Sequence, residues 1–492
     1  MKKYIRDPET GIVYPCEESI QYLRDPETGL VYPAHHSLLK KTNPPQLLLT
    51  SILQEQLKTS TGCTELSVLT YGVALAYNTL NGSLPLRFQT RQSLTEKKVL
   101  PHQIDKITLT VDRKVYKNAF AARLPVGQNI TGLEYACALG VFGNPRQELN
   151  IYKNLSSQDI KRAIRLVRAH KIEIRVTDKE VISPYIKVRV FAGKNISTVI
   201  IQHHHSNVTL IKLNNRIIYR SSEEMTDKPF SQAMEFLGSS SLRELIYLSD
   251  HLSATTSQYL REGLRINQLI SRYGLTHYPR GITATLQNLI RRKTLGNDLV
   301  QMAQLETIAG VEARMSGAPL EVVTVSGSGN QGLITFLPIN AIAHQTSLDE
   351  ERLLKSLALS CLVTAYTTYH TGYLTPLCGC FIKSGLGATA GITYYLKGSE
   401  KQISSAVKNM AGIGAGVICD GAKVNCALKA ASATATAVES ALLGLNNVIP
   451  PAPTGIINTT FEQTIRNLGR LSQAMQPADK TIVNILSHKN WN

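Results

Sequence analysis

Apolar and polar residues alternate along several short runs between about residues 100 and 215: "KITLTV", "KIEIRV", "YIKVRVFA", "STVIIQ" and "VTLIKL". Successive side chains of a strand point to opposite faces, so each run is predicted as a strand. A segment with helical spacing, "SQDIKRAIRLVRAH", precedes the second of them. Between about 43 and 80 the spacing is helical, broken by "TSTGCTEL". From about Ser231 onward helical periodicity prevails, with Gly, Ala and Ser dense between 384 and 445. Small residues let helices approach closely, so a tightly packed helical part is expected there. The fold class predicted is α+β: a mixed or antiparallel sheet domain followed by a mainly α-helical domain.

The first forty residues break this pattern with a tandem repeat of period 18: "YIRDPETGIVYPCEESIQ" from Tyr4 and "YLRDPETGLVYPAHHSLL" from Tyr22. Each copy is predicted as a small hairpin turning at Pro-Glu-Thr-Gly. Two such units are too small for a domain, so residues 1–40 are expected to be an appendage that docks an unidentified partner. The "KKTNPPQ" segment is expected to be a linker. An α+β domain over 41–230, with Cys63 on its first helices, and a helical catalytic domain over 231–492 complete the predicted organisation.

Charge and cysteine usage narrow the function classes. The net charge is +17, from 53 Lys and Arg against 36 Asp and Glu. The basic residues are scattered, with "RRK" at 291–293 the densest short run, and no aromatic-and-basic stripe accompanies them. Nucleic acid is therefore not the expected partner; small anionic substrates suit the same potential. Neither a signal peptide nor a membrane span is expected, which points to the cytoplasm and to reduced thiols. In that compartment clustered cysteines point to metal or catalysis rather than crosslinks. Cys137 and Cys361 sit in apolar runs and are expected in the core. A homo-oligomer is compatible with the sequence.

Three features carry candidate chemistry. In "VVTVSGSGNQGLITF", Gly327, Gly329 and Gly332 satisfy G-x-G-x-x-G. The dinucleotide reading requires a second strand, whereas "SLDEERLLKSLALS" opens like a helix with Ser347 as cap and Asp349 and Glu350 in its first turn. What remains is a loop of amides, hydroxyls and side-chain amides able to hold a carboxylate or another anion. Cys63, placed where a helix starts, the Cys378-Gly-Cys380 tripeptide, and Cys419 with Cys426 form the second feature. By spacing alone they are open to zinc, an iron–sulfur cluster or no ligand. The third is "HHHSN": along a strand only His203 and His205 would share a face, with a substrate or proton-transfer role open to them.

The segments "GCTE", "VYKNAF", "HSN", "EARMSGAP", "SGSGNQG", "CGC" with "GATAGITYYLKG", "KNMAG" and "ICDGAKVNCALK" occur in order across roughly 60–490. In these the chain resembles the iron–sulfur L-cysteine desulfidases, which are grouped with the alpha chain of bacterial iron–sulfur L-serine dehydratases. The resemblance implies a [4Fe–4S] cluster without pyridoxal phosphate, bound by Cys63, Cys380 and Cys419 first, with Cys378 and Cys426 beside them. It implies β-elimination on a small amino acid, L-cysteine giving pyruvate, ammonia and sulfide. L-serine dehydration by the same mechanism and a non-catalytic cluster-bearing sensor are the alternatives. Ser326, Ser328, Asn330 and Gln331 are then expected to take the substrate carboxylate, with Arg314, Lys117 and Asn118. His205 and Lys423 are the candidate bases, and Arg314 or Lys423 has an equal claim to a structural pairing with Glu312 or Asp420. Where the family pattern has small apolar residues, this chain has Lys383.

Overall fold

The alternating runs become strands of one sheet in a computed structural model of the chain. It describes residues 45–488 apart from 89–97, 128–129, 222–229, 347–348 and 450, together with four short strands ahead of them. Those four are β1 (Lys3–Arg6), β2 (Val13–Cys16), β3 (Tyr22–Arg24) and β4 (Val31–Pro33). β1 pairs antiparallel with β2 and β3 with β4, so each repeat copy is a hairpin.

The helical pattern of 43–80 divides into α1 (Pro45–Gln56) and α2 (Thr64–Leu80), and its interruption is a strand, β5 (Leu57–Thr61). The main sheet contains β6 (Lys106–Val111), β7 (Ile172–Val176), β8 (Tyr185–Ala192), β9 (Asn195–Gln202), β10 (Val208–Leu213) and β11 (Arg216–Arg220). Its order is β11-β10-β9-β8-β6-β7, antiparallel except for β6 with β7. That parallel step is bridged by α3 (Arg113–Phe120), α4 (Leu133–Gly140) and α5 (Ser157–Arg168). The period-two pattern is realised on β8, where Ile186, Val188, Val190 and Ala192 are buried. α2 lies on that face; a Cβ added at its Gly72 would come within 3.1 Å of Val188 Cγ2.

Helices then dominate: α6 (Gln232–Ser239), α7 (Leu242–Asp250), α8 (Ala254–His277), α9 (Ile282–Arg291) and α10 (Leu299–Met315). After β12 (Glu321–Val325) come α11 (Gly329–Thr346), α12 (Glu350–Thr371), a π-helical segment Cys380–Gly385 and α13 (Leu386–Tyr395). α14 (Glu400–Gly414), α15 (Cys426–Leu445), α16 (Phe461–Ala474) and α17 (Pro477–Ser487) complete the chain. The small residues act as expected: Gly387 abuts Thr364 and Ser360 of α12, leaving no room for a side chain.

β12 pairs antiparallel with β5, which stitches the first helices to the helical part. The chain passes from β12 through α11 straight into α12, so the G-x-G-x-x-G run belongs to no βαβ unit. The cap of α12 is Asp349, whose carboxylate accepts the Arg352 amide at 2.6 Å; Ser347 lies outside the described residues. Among the described residues no helix is long and apolar enough to cross a membrane.

Candidate active site

Two loops far apart in sequence are joined by backbone to bring the thiols together. Leu377 and Ile418 form an isolated antiparallel bridge. The Cys378 amide donates to the Val417 carbonyl and the Cys419 amide to the Pro376 carbonyl, both at 2.7 Å. Cys380 follows as the first residue of the π-helical segment, a geometry frequent at functional sites. Cys426 opens α15. Cys378, Cys380, Cys419 and Cys426 all line one cavity of about 80 Å³, room for several water molecules. Cys63 stands behind its wall as the N-cap residue of α2 and is 1% exposed. Its thiol donates to Glu65 Oε2 at 3.1 Å and approaches the Asn118 carbonyl at 3.9 Å. The seven described cysteines are all free, and Cys137 and Cys361 are core residues as expected.

The opposite wall is built for an anion. Arg314, in the last turn of α10, is buried; its Nη1 donates to Asn330 Oδ1 at 2.9 Å and its Nη2 to Thr64 Oγ1 at 3.2 Å. Its Nε has no partner, and no carboxylate pairs with it among the described residues. Thr64 and Asn330 are neutral, so the guanidinium charge remains available to a ligand. The first turn of α11 carries Asn330 and Gln331, and first-turn amides lack intrahelical acceptors. Ser328 and Gln331 line the cavity with them. Ser326 is occupied otherwise: its hydroxyl donates to Gln56 Oε1 at 3.0 Å and its amide to the Gln56 carbonyl at 3.1 Å. It fastens the turn to α1 more than it offers a donor to a ligand.

Between the walls sits a carboxylate that the motif search passed over inside "GCTE". Glu65 accepts from Asn118 Nδ2 at 3.1 Å and lies 3.8 Å from His205 Nε2, an ion-pair rather than hydrogen-bond separation. Burial alone would raise its pKa, but His205 and the Cys63 thiol outweigh this and hold it near 2. The same burial, with Glu65 beside it, pushes the Cys63 thiol well up. Cys378 is lowered to about 7 by the hydrogen bond from Cys380, whose own thiol is driven up in return. Burial raises Cys419, and Cys426 to about 12.

The structure relocates four residues or segments expected at the site. The histidine triplet is not on a strand: β9 ends at Gln202, and His203 has φ +72° in the turn to β10. His205 alone of the three lines the main cavity. Lys117 does not face the cavity; it is buried in an ion pair with Asp479 of α17, Nζ to Oδ1 2.5 Å. Lys423 also lies off the cavity and pairs with Asp420. Glu312 pairs with no Arg314; it caps α9, accepting from the Ile282 and Thr283 amides at 2.8 Å. Asn118, expected to help with the substrate carboxylate, lies on the cavity wall beside Cys419, with Sγ to Oδ1 3.7 Å.

Lys383 is the residue whose presence in the site no motif announced. It is fully buried, lines the cavity, and its Nζ donates to the carbonyls of Gly372 at 2.5 Å and Tyr373 at 2.9 Å. A neutral amine has two N–H donors, enough for both. Burial pushes its pKa down from 10.5 to about 7. Above pH 7 the native protein therefore binds fewer protons here than the unfolded chain, so stability rises with pH through this window. For the cluster-free protein between pH 7 and 8.5, urea unfolding should show a rise approaching about 1.4 kcal/mol per pH unit from this group. Lys383→Met should flatten it; an unchanged slope would refute the assignment.

The donor set suits the cofactor that the resemblance implies. Thiolates are the ligands of iron–sulfur clusters, and four thiols line one cavity with a fifth behind it. Among the described residues no three Cys, His, Asp or Glu side chains already converge on one metal-binding point.

A family profile described as serine dehydratase alpha chain matches residues 147–484. A UPF0597 protein of Desulfatibacillum aliphaticivorans is 35% identical over 397 residues, 79% of this chain and 90% of that protein. A UPF0597 protein of Clostridium tetani is 32% identical over 442 residues, 89% of this chain and 98% of its own length. With a matched profile that runs from ahead of β7 into α17 and takes in Arg314, the α11 turn and four of the five clustered thiols, the chain belongs to the serine dehydratase alpha chain family.

Proposed function

We propose that this protein is a lyase that eliminates the β-substituent of a small amino acid, converting L-cysteine to pyruvate, ammonia and sulfide. The observation that carries the reading is Arg314, a buried guanidinium without a carboxylate partner, facing a cavity walled by four thiols. Cys378, Cys380, Cys419 and Cys426 would hold a [4Fe–4S] cluster, joined by Cys63 beyond Glu65 and Asn118. When bound, the cluster supplies a Lewis-acidic iron that makes the side-chain sulfur or hydroxyl a better leaving group.

The chain's own residues do the rest. Arg314 and the first-turn amides of α11 take the carboxylate, and they stabilise the charge that builds on it as the Cα proton leaves. Glu65, held ionised, suits the substrate ammonium. His205, with no hydrogen-bond partner on either ring nitrogen and Glu65 beside it, is the base that takes the Cα proton. As that bond's electrons form the Cα–Cβ double bond, the Cβ–S bond breaks and its pair leaves with sulfur as sulfide. The aminoacrylate tautomerises and is hydrolysed by water to pyruvate and ammonia.

L-serine is the second reading, favoured by the family to which the chain belongs. Anaerobic reconstitution with iron and sulfide, followed by pyruvate measurement with L-cysteine and L-serine, tests both. Pyruvate with sulfide from L-cysteine is the expected result. Faster turnover of L-serine would favour the second reading. Cluster absorbance without turnover of either would overturn the enzyme.

A further inference from the structure

The Lys117–Asp479 pair joins residues 362 positions apart. Their side chains are 1% and 3% exposed, so both charges are removed from water. Such a pair is costly to assemble, and removing one partner leaves the other charge buried and uncompensated. Asp479 sits in the first turn of α17, where a carboxylate also favours the helix dipole. Its second oxygen, Oδ2, has no hydrogen-bond partner, so Lys117 is its principal tie.

What Lys117 is attached to gives the pair its purpose. Its backbone carbonyl lies against Gly421, two residues past Cys419, so closely that a Cβ at Gly421 would overlap it. The next residue, Asn118, touches both halves of the thiol cluster, Cys419 with its side chain and Cys63 with its backbone carbonyl. It donates to Glu65, its carbonyl faces the Cys63 thiol, and its Oδ1 faces the Cys419 thiol. α3 is thus a short rod of eight residues with the site at one end and α17 braced against it.

We propose that α17 is a positioning strut of the site: Asp479, through Lys117, fixes α3 so that Asn118 holds Cys63 and Cys419 in place. The proposal rests on these thiols forming the site and is independent of the reaction they serve. Neither Lys117 nor Asp479 reaches the cavity wall occupied by substrate, so neither is catalytic.

The test needs no substrate and no cluster. In the full-length, cluster-free protein under native conditions, a thiol reagent is applied and labelling is followed at each cysteine by mass spectrometry. Asp479→Asn keeps the size and removes the charge; it should speed labelling of Cys63 and Cys419 on the order of tenfold, through local opening. Cys361, buried in the core on α12, serves as the internal control and should keep the wild-type rate. Lys117→Met breaks the pair from the other end and has to give the same selective pattern. Parallel acceleration at Cys63, Cys419 and Cys361 would mean a merely structural contribution and overturn the proposal, as would unchanged rates at Cys63 and Cys419.

Discussion

Arg314→Met is expected to lower kcat/KM for the amino-acid substrate by about a thousandfold, the equivalent of about 4 kcal/mol of transition-state binding. The buried guanidinium has no carboxylate ion-pair partner among the described residues, and its Nε is unsatisfied. A carboxylate placed there gains a charge-assisted bond in a site screened little by water, whereas methionine offers nothing in exchange. Arg314→Lys should recover only part of the loss, because a lysine carries the charge without the planar fork. Cluster absorbance per chain should stay at the wild-type level in both, since Arg314 hydrogen-bonds Asn330 and Thr64 and no thiol. Steady-state kinetics on reconstituted protein decide the matter, and a variant within threefold of wild type would remove Arg314 from the substrate site.

The second large effect is expected at Gly327, where alanine should cost about two orders of magnitude in turnover and about 1–3 kcal/mol in stability. The residue has φ +77°, a region that side chains disfavour, directly after Ser326 at φ +49°. An added Cβ would lie 2.6 Å from His205 Nδ1, so the imidazole has to move. Displacement of His205 takes it from Glu65, which lies 3.8 Å from its Nε2. The strain and the displacement are separable: urea unfolding reads the first, and turnover the second. A variant that unfolds more easily yet turns over normally would show that His205 is not the base.

Much of this site could be read from residue order. The thiols declare themselves by their clustering among the ordered motifs, and the β12–α11 turn because successive Gly and Ser residues after a strand have few alternatives. The sheet followed by helices is equally plain in the switch of period from 2 to 3.6, although the pattern marks only five of its six strands and misses the short β11. What sequence order could not supply were pairings across the fold. Lys117 carries nothing in "VYKNAF" to say that its partner lies on α17. Glu65 is ordinary in a first helical turn until Asn118 and His205 converge on it from two other elements. Reading "HHH" as strand failed because a turn residue with positive φ leaves no local hydropathy signal. The Ser347 cap failed for a simpler reason, since Asp349 competes for the same role two residues on.

The bridge between Leu377 and Ile418 has a bearing on how such a site changes over time. The thiol-bearing loops are held in register by main-chain atoms, Cys378 to Val417 and Cys419 to Pro376, whatever side chains those positions carry. Drift at the flanking residues therefore leaves the ligand spacing intact, as a buttonhole survives a change of cloth. By the same logic the donor atoms are the exchangeable part: serine, aspartate or histidine at 378 or 419 keeps the loop path. The backbone frame can thus carry a different set of side-chain donors without being refolded.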